Sequence, residues 1–122
     1  MQRARVAVID DDESVREALP DLLREFGYQS DVYSSAEEFL GSWKINEYVC
    51  LVLDIAMPGG MSGIELQSEL ERRGHKIPIV FITAHGDESL RQRLRKEGVE
   101  CLRKPFTDTG LQAALQAVLA RR

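Results

Sequence analysis

The stretch that decides the fold is Tyr48-Val49-Cys50-Leu51-Val52-Leu53-Asp54. Its first six residues are nearly all apolar, and the run ends in a carboxylate. A strand that is apolar on both sides leaves no face for solvent, which is typical of a central strand in a parallel sheet covered by helices on both faces. The stretch therefore predicts an α/β fold whose central strand ends at Asp54.

Further strands and helices alternate on either side of this stretch. Short apolar runs predict four more strands, at residues 5–9, 28–33, 79–82 and 99–102. Apolar residues at helical spacing, with capping and terminating residues around them, predict five helices. These helices are expected at 15–26, 35–44, 62–74, 87 or 88 to 98, and 111–119, with Phe39 and Trp43 packing the second. The alternation predicts one module over residues 1–122, a doubly wound parallel sheet of five strands with helices on both faces.

Length and composition exclude several classes of protein. The 122 residues suit one domain, and a hydrophobic content of 43% is that of a folded chain. No apolar run approaches the ~20 residues that cross a bilayer. The first residues lead directly into a strand, so no signal peptide is expected. Cys50 and Cys101 each lie among apolar residues, which predicts buried thiols of a cytoplasmic protein rather than a disulfide or metal framework.

The formal net charge of −4 is unevenly distributed along the chain. Residues 1–69 carry five basic and fourteen acidic side chains, whereas residues 70–122 carry eleven basic and six acidic. The overall acidity argues against general binding to nucleic acid. A basic cluster, Arg91, Arg93, Arg95 and Lys96, is either a solvated helix face or a docking patch.

Polar side chains follow the predicted strands at the edge where such sheets bind ligands. Asp10-Asp11-Asp12-Glu13 follows the first strand, Asp54 ends the third, Thr83 ends the fourth, and Lys104 follows the fifth. Asp12 or Glu13 is expected to cap the first helix, but capping does not explain the other acids. Clustered carboxylates repel one another unless a cation compensates, and an all-oxygen set suits Mg²⁺. The sequence thus predicts a magnesium site at which Asp54 can act as a nucleophile toward a phosphoryl group.

These motifs together resemble the receiver domain of two-component response regulators. The resemblance covers essentially the whole chain, and its four stretches are residues 8–12, 52–63, 80–84 and 104–106. It implies a flavodoxin-like (βα)₅ fold with strand order 2-1-3-4-5. It also implies that Asp54 accepts a phosphoryl group from a sensor histidine kinase, and from small phosphodonors, and later loses it, so that the protein is a phosphoacceptor rather than an enzyme.

The resemblance implies a role for each residue of the site. Mg²⁺, or Mn²⁺ as an alternative, would be held by Asp10, Asp11, Asp54 and the backbone carbonyl of Ala56. Thr83, its neighbour Ala84, and Lys104 would contact the phosphoryl group, and Lys104-Pro105 resembles the family's cis-proline junction. Phosphorylation would then change the surface of the fourth helix, fifth strand and fifth helix, which would act on a partner, a second receiver or a C-terminal DNA-binding domain.

Three features depart from the family pattern. Cys101 occupies the place of the aromatic residue that usually swings inward with Thr83, and cysteine cannot make that bulky movement. The turn Gly59-Gly60-Met61 is one glycine longer than the pattern, which is expected to loosen the loop. Ala56 and His85 occupy the two positions that tune acyl-phosphate lifetime. Ala56 cannot position water, and His85 is either a solvated loop residue or lies at the rim, so a long-lived phosphorylated form is expected.

Two other functions fit part of the sequence. Asp10 and Asp12 match the Asp-x-Asp pattern of haloacid-dehalogenase-like phosphatases, in which they would be nucleophile and general acid/base. That interpretation lacks a late acidic pair after a strand and leaves Asp54 unexplained. A phosphorylation-independent interaction module on the same fold would lack some of the five polar residues of the site. All five are present here: Asp10, Asp11, Asp54, Thr83 and Lys104.

Overall fold

The computed structural model describes residues 3–84 and 88–121. Within these ranges the chain forms five strands, five α-helices and a 3₁₀ turn at Ile45–Glu47. The strands are β1 (Arg5–Ile9), β2 (Gln29–Tyr33), β3 (Tyr48–Asp54), β4 (Ile79–Thr83) and β5 (Cys101–Arg103). The helices are α1 (Glu13–Glu25), α2 (Ala36–Leu40), α3 (Gly63–Arg72), α4 (Glu88–Lys96) and α5 (Asp108–Ala120).

The five strands form one parallel sheet in the order β2-β1-β3-β4-β5, as the family resemblance implied. The strand 48–54 lies in the middle, paired with β1 on one side and β4 on the other. Ile9 is in register with Leu53, and Asp54 with Ile82. Because these strands end at the same level, the residues that follow them meet at one edge of the sheet.

Two apolar clusters lie on the two faces of the sheet. Alternate residues of β3 enter each one, since Leu51 and Leu53 join the cluster under α2, α3 and α4, whereas Cys50 and Val52 join the cluster under α1 and α5. The prediction of a central strand buried on both faces is therefore confirmed. Both cysteines are buried thiols, also as predicted. None of the helices in the described ranges is long and apolar enough to cross a membrane.

Predicted capping residues begin and end two of the helices. Asp12, the first of the two predicted candidates, caps α1 by accepting a hydrogen bond from the Ser14 N–H at 2.9 Å. Ser62 and Glu65 form the reciprocal capping box predicted for α3. Each of these helices is followed by a glycine with positive φ, Gly27 after α1 and Gly74 after α3, in the left-handed conformation that glycine adopts without strain.

The predicted extent of the second helix is wrong. The helix ends at Leu40 instead of near residue 44, and Gly41 is its C-cap. The Ser42 hydroxyl accepts a hydrogen bond from the Lys44 N–H at 3.1 Å, which offers the backbone a turn in place of another helical bond. Phe39 is fully buried as predicted, but Trp43 lies beyond the helix end with 83% of its surface exposed.

The fifth strand begins later than predicted, at Cys101 instead of residue 99. The Val99 N–H donates to the Leu94 carbonyl at 2.9 Å, so residue 99 closes the end of α4 and is not available to the sheet. The described part of α4 begins at Glu88, one of the two predicted starts, and Asp87 lies outside the described residues.

Gly63 joins α3 to the end of β3 more closely than any side chain would allow. A Cβ at this position would lie 2.4 Å from the Asp54 carbonyl oxygen and 2.9 Å from the Ile55 Cα. The Gly63 N–H meanwhile donates to the Ile55 carbonyl at 2.8 Å. These contacts are with backbone, which cannot move aside without shifting Asp54 itself.

Gly63→Ala should therefore destabilise the fold by about 1–3 kcal/mol, because the new methyl group overlaps the backbone of the buried strand end. The measurement is the free energy of unfolding in urea. Gly41→Ala is the matched control, since a Cβ there would meet nothing closer than 3.5 Å. Equal stabilities for the two variants would contradict the close approach.

Candidate functional site

Asp10 extends β1 into the sheet edge and is fully buried. Its N–H donates to the Tyr33 carbonyl of β2 at 3.1 Å, and its Oδ1 accepts from the Asp12 N–H at 2.9 Å. The Arg16 guanidinium, one turn into α1, donates to the Asp10 carbonyl at 2.9 Å. The loop is thus held from both sides, with the Asp10 side chain inside and Asp11 exposed to solvent.

Asp54 ends β3 with only 4% of its surface exposed. Its Oδ1 accepts from the Ala56 N–H at 3.2 Å, a turn that brings the following loop back over the strand end. Gly63 packs against its carbonyl from the other direction. The carboxylate consequently has a restricted position at the centre of the sheet edge.

Lys104 reaches both buried carboxylates. Its Nζ lies 3.0 Å from Asp10 Oδ2, 3.6 Å from Asp54 Oδ2 and 4.0 Å from Asp12 Oδ2. The Lys104 N–H donates to the Thr83 carbonyl at 2.9 Å, and the Lys104-Pro105 peptide bond is cis, which is what the resemblance implied. One ammonium therefore lies within 4.0 Å of three of the carboxylates at this edge of the sheet.

Thr83 places a hydroxyl at the neighbouring strand end. The residue is 2% exposed, and its Oγ1 has no hydrogen-bond partner among the described residues. Leaving a buried hydroxyl without a partner costs about 1–3 kcal/mol, so such a group calls for an explanation such as a missing ligand. Ala84 follows it and lines a cleft together with Asp12 and Lys104.

Burial and the neighbouring charges change the pKa values of Asp54 and Lys104. Burial raises the pKa of Asp54 to about 7, with the Asp10 carboxylate adding to the rise and Lys104 opposing it. Burial by itself would lower the pKa of Lys104, but the hydrogen bond and charge of Asp10, together with Asp54 and Asp12, raise it above its ordinary value. The site holds more negative charge than one lysine neutralises.

The arrangement of acids fits the predicted magnesium site. Asp10, Asp11 and Asp54 each offer a carboxylate oxygen, and these three oxygens lie within 4.8 Å of one another. Oxygen donors of this kind are the ligands that Mg²⁺ takes in proteins, where it also keeps several waters. The role of the Ala56 carbonyl as a further ligand stays a prediction.

The structure distributes the remaining predicted residues around this cluster. Cys101 lies in β5 opposite Phe81, 8% exposed, in the cluster of side chains under α4. Arg103, two residues further along the strand, is in register with Thr83. His85 lies outside the described residues.

The hydrogen bonds of Asp12 do not suit the general acid/base role that it would have in a phosphatase. Hydrogen bonds from the Ser14 side chain and backbone lower the pKa of Asp12 below its usual value. A general acid at neutral pH needs the opposite shift. The capping role thus accounts for Asp12 without catalysis.

Sequence reasoning missed Arg16. Nothing in the pattern marks it, because its partner is a backbone carbonyl six residues earlier and not another charged side chain. The one available signal is that helical side chains point back toward the helix N-terminus, which directs a first-turn arginine to the end of the preceding strand.

The chain is similar to known signalling proteins over nearly its whole length. The family model for the response regulator receiver domain matches residues 6–116. Nodulation protein W from Bradyrhizobium diazoefficiens is 42% identical, over 98% of this chain and 52% of that protein. Transcriptional regulatory protein FixJ from Azorhizobium caulinodans is 41% identical, over 95% of this chain and 55% of that protein. The solved structure of the response regulator StyR superposes with a TM-score of 0.84 at 46% identity, covering 98% of this chain and 60% of that one. The chain thus spans about half the length of the curated relatives it matches.

The raised pKa of Asp54 predicts a pH-dependent stability in metal-free buffer. The folded carboxyl keeps its proton up to about pH 7, whereas the ordinary pKa is 3.8. The folded state then binds more protons than the unfolded state, so wild-type stability should fall as the pH rises between these values. Asp54→Asn should be the more stable protein at pH 8, and its advantage should shrink toward pH 4, as measured by thermal unfolding with a chelator.

Glu69→Gln provides a control of opposite sign. Hydrogen bonds from Arg72 and Arg73 lower the pKa of Glu69 to about 2, so that the wild-type carboxylate stabilises the fold above its ordinary pKa of 4.5. This variant should lose a little stability at neutral pH and approach wild type in acid. If the stabilities of wild type and Asp54→Asn changed with pH in parallel, the pKa of Asp54 would not be raised in the folded state.

Proposed function

The chain belongs to the response regulator receiver domain family of two-component systems, and we propose that it is a phosphorylation-dependent switch in which Asp54 accepts a phosphoryl group from a sensor histidine kinase. The observation that carries the proposal is the convergence of Asp10, Asp11, Asp54 and Lys104 on one sheet edge, beside a buried hydroxyl without a partner.

Asp54 is the nucleophile in this proposal. A carboxylate oxygen attacks the phosphorus of phosphohistidine, an O–P bond forms, the N–P bond breaks, and the electron pair returns to the histidine nitrogen. When bound to Asp10, Asp11 and Asp54, Mg²⁺ would supply positive charge at the reacting oxygens. Acetyl phosphate can replace the kinase as donor, and hydrolysis of the acyl phosphate resets the site.

Lys104 and Thr83 would stabilise the added charge. The Lys104 ammonium, 3.6 Å from Asp54 Oδ2, is close enough to pair with a phosphoryl oxygen bonded to Asp54. The Thr83 hydroxyl would donate to another, which would give this buried group the partner it lacks. Ala84, which follows Thr83 at the same strand end, would lie beside the phosphoryl group.

A route from the site to the outer surface runs through β5. Arg103 is in register with Thr83, and its guanidinium lies 3.3 Å from Glu88 of α4. Glu88 in turn binds Arg91 at 2.6 Å. A movement of Thr83 toward the phosphoryl group would shift its β5 neighbour and this ionic contact. Cys101 is too small for the usual aromatic movement, so the coupling would pass through Arg103 and Glu88.

The changed face of α4, β5 and α5 would control an output. Relatives that include a transcriptional regulatory protein support a role in regulating transcription, through a DNA-binding domain beyond the receiver or through pairing of two receivers. A partner can shift the equilibrium between the unphosphorylated and phosphorylated conformations by no more than the difference between its affinities for the two.

Intact mass spectrometry after incubation with acetyl phosphate and Mg²⁺ tests the acceptor. Wild type should gain one phosphoryl group, and Asp54→Asn should gain none because its amide is not a nucleophile. Asp12→Asn should still be labelled, since Asp12 serves as a helix cap. Labelling that persists in Asp54→Asn, with the phosphoryl group on Asp10, would favour the phosphatase interpretation instead.

Backbone amide NMR shifts test the switch. On phosphorylation, amides of α4, β5 and α5 should shift in wild type, because Thr83 moves toward the new group. Thr83→Val keeps the shape but lacks the hydroxyl, and it should accept the label with much smaller changes on that face. A surface whose shifts stay the same in phosphorylated wild type would refute the switch.

A further inference from the structure

The loop between β3 and α3 is held by a side chain from another part of the chain. The Met61 N–H donates to Glu37 Oε2 at 2.8 Å, across 24 positions of sequence. Glu37 lies in the first turn of α2. A hydrogen bond from a backbone N–H to a carboxylate is charge-assisted and stronger than a neutral one. This contact links α2 to the loop that begins with the candidate metal residues.

Gly60 lies directly on the same carboxylate. A Cβ at Gly60 would be 3.0 Å from each Glu37 carboxylate oxygen. The backbone of Gly60 does not need glycine, because its φ is not positive, in contrast to Gly59 with φ of 91°. The close approach of Glu37 is therefore the reason that the structure offers for a glycine at position 60.

The contact occurs where the loop departs from the family pattern. The turn Gly59-Gly60-Met61 is one glycine longer than expected, and two successive glycines leave a chain with many accessible conformations. The Glu37 carboxylate binds the loop immediately after those glycines. Below it, Met61 packs against an apolar cluster that contains Met57 and Phe39. The longer loop thus has a tether that offsets its extra freedom.

We propose that Glu37 is a positioning residue for the phosphorylation site: it fixes the loop after Asp54, and with it Ala56, in the arrangement that binds Mg²⁺. This inference rests on the proposed function, since it assigns Glu37 to that same site. Glu37 acts through the loop backbone and does not itself contact the metal or the phosphoryl group.

Mg²⁺ affinity, measured by calorimetry, gives the first test. Glu37→Ala should weaken binding about 3- to 10-fold, the effect of losing one net hydrogen bond. Glu37→Gln should remain within about 2-fold of wild type, because its amide oxygen still accepts from Met61. Glu47→Ala removes the same charge from an exposed residue of the 3₁₀ turn and should have no effect.

Hydrogen exchange of the Met61 amide provides a readout without metal. Exchange should be faster in Glu37→Ala than in wild type and restored in Glu37→Gln. Gly60→Ala supplies a second, independent variant, because its methyl group would lie 3.0 Å from both carboxylate oxygens, which would then have to shift. It should weaken Mg²⁺ binding in wild type and have no further effect in the Glu37→Ala background, the non-additivity expected of two groups in contact.

Three results would overturn the proposal while leaving Asp54 as the acceptor. These are Mg²⁺ affinity in Glu37→Ala equal to wild type, equal losses in Glu37→Gln and Glu37→Ala, and additive effects of the Gly60 and Glu37 changes. Failure of the proposed function looks different, since wild type itself would then bind no Mg²⁺ and accept no label.

Discussion

Two buried carboxylates that share one ammonium determine the organisation of this protein. Asp10 is fully buried and Asp54 nearly so, and the only lysine that bridges them in the described ranges is Lys104. Burying one charge is costly, and burying two like charges together costs more. The folded state tolerates them because Lys104, the Arg16 contact to the loop and the packing of Gly63 hold the groups in place. A divalent cation and a phosphoryl group are the ligands that such a site would favour.

The uneven charge along the chain reflects this arrangement. The acidic first part contains the three carboxylates that approach within 4.8 Å, together with acids at the N-terminal ends of α1 and α2. The basic second part supplies Lys104 to the acids, and it also supplies the cations of α4 and the Arg103 that contacts Glu88. The site and the surface proposed to carry its signal are joined by β4 and β5, where Thr83 and Arg103 are neighbours. A mildly acidic protein is thus divided into an acidic site and a basic face.

The sheet and the polar residues at its edge could be predicted because both depend on local patterns. An apolar run that ends in aspartate is visible in the sequence, and parallel strands bring their ends together whatever the loops do. The predicted end of α2 and the predicted start of β5 are wrong, because hydrogen bonds that the apolar pattern does not reveal end the helices there. The Ser42 hydroxyl accepts one after α2, and the Val99 N–H donates the other at the end of α4. Arg16 and Glu37 could not be found in this way, since each binds a backbone group, and such contacts leave no pairing of residue types in the sequence.

On the function proposed above, the Asp10–Asp54 pair is electrostatically strained until a divalent cation completes the site. The most direct measurement is the unfolding midpoint of the wild-type protein at pH 8 as Mg²⁺ is added, with NaCl of matched ionic strength as reference. Binding to the folded state alone should raise the midpoint with the concentration of Mg²⁺, and the rise should be largely lost in Asp54→Asn. A midpoint that does not respond to Mg²⁺, or responds equally in both proteins, would show that Asp54 is not part of a cation site.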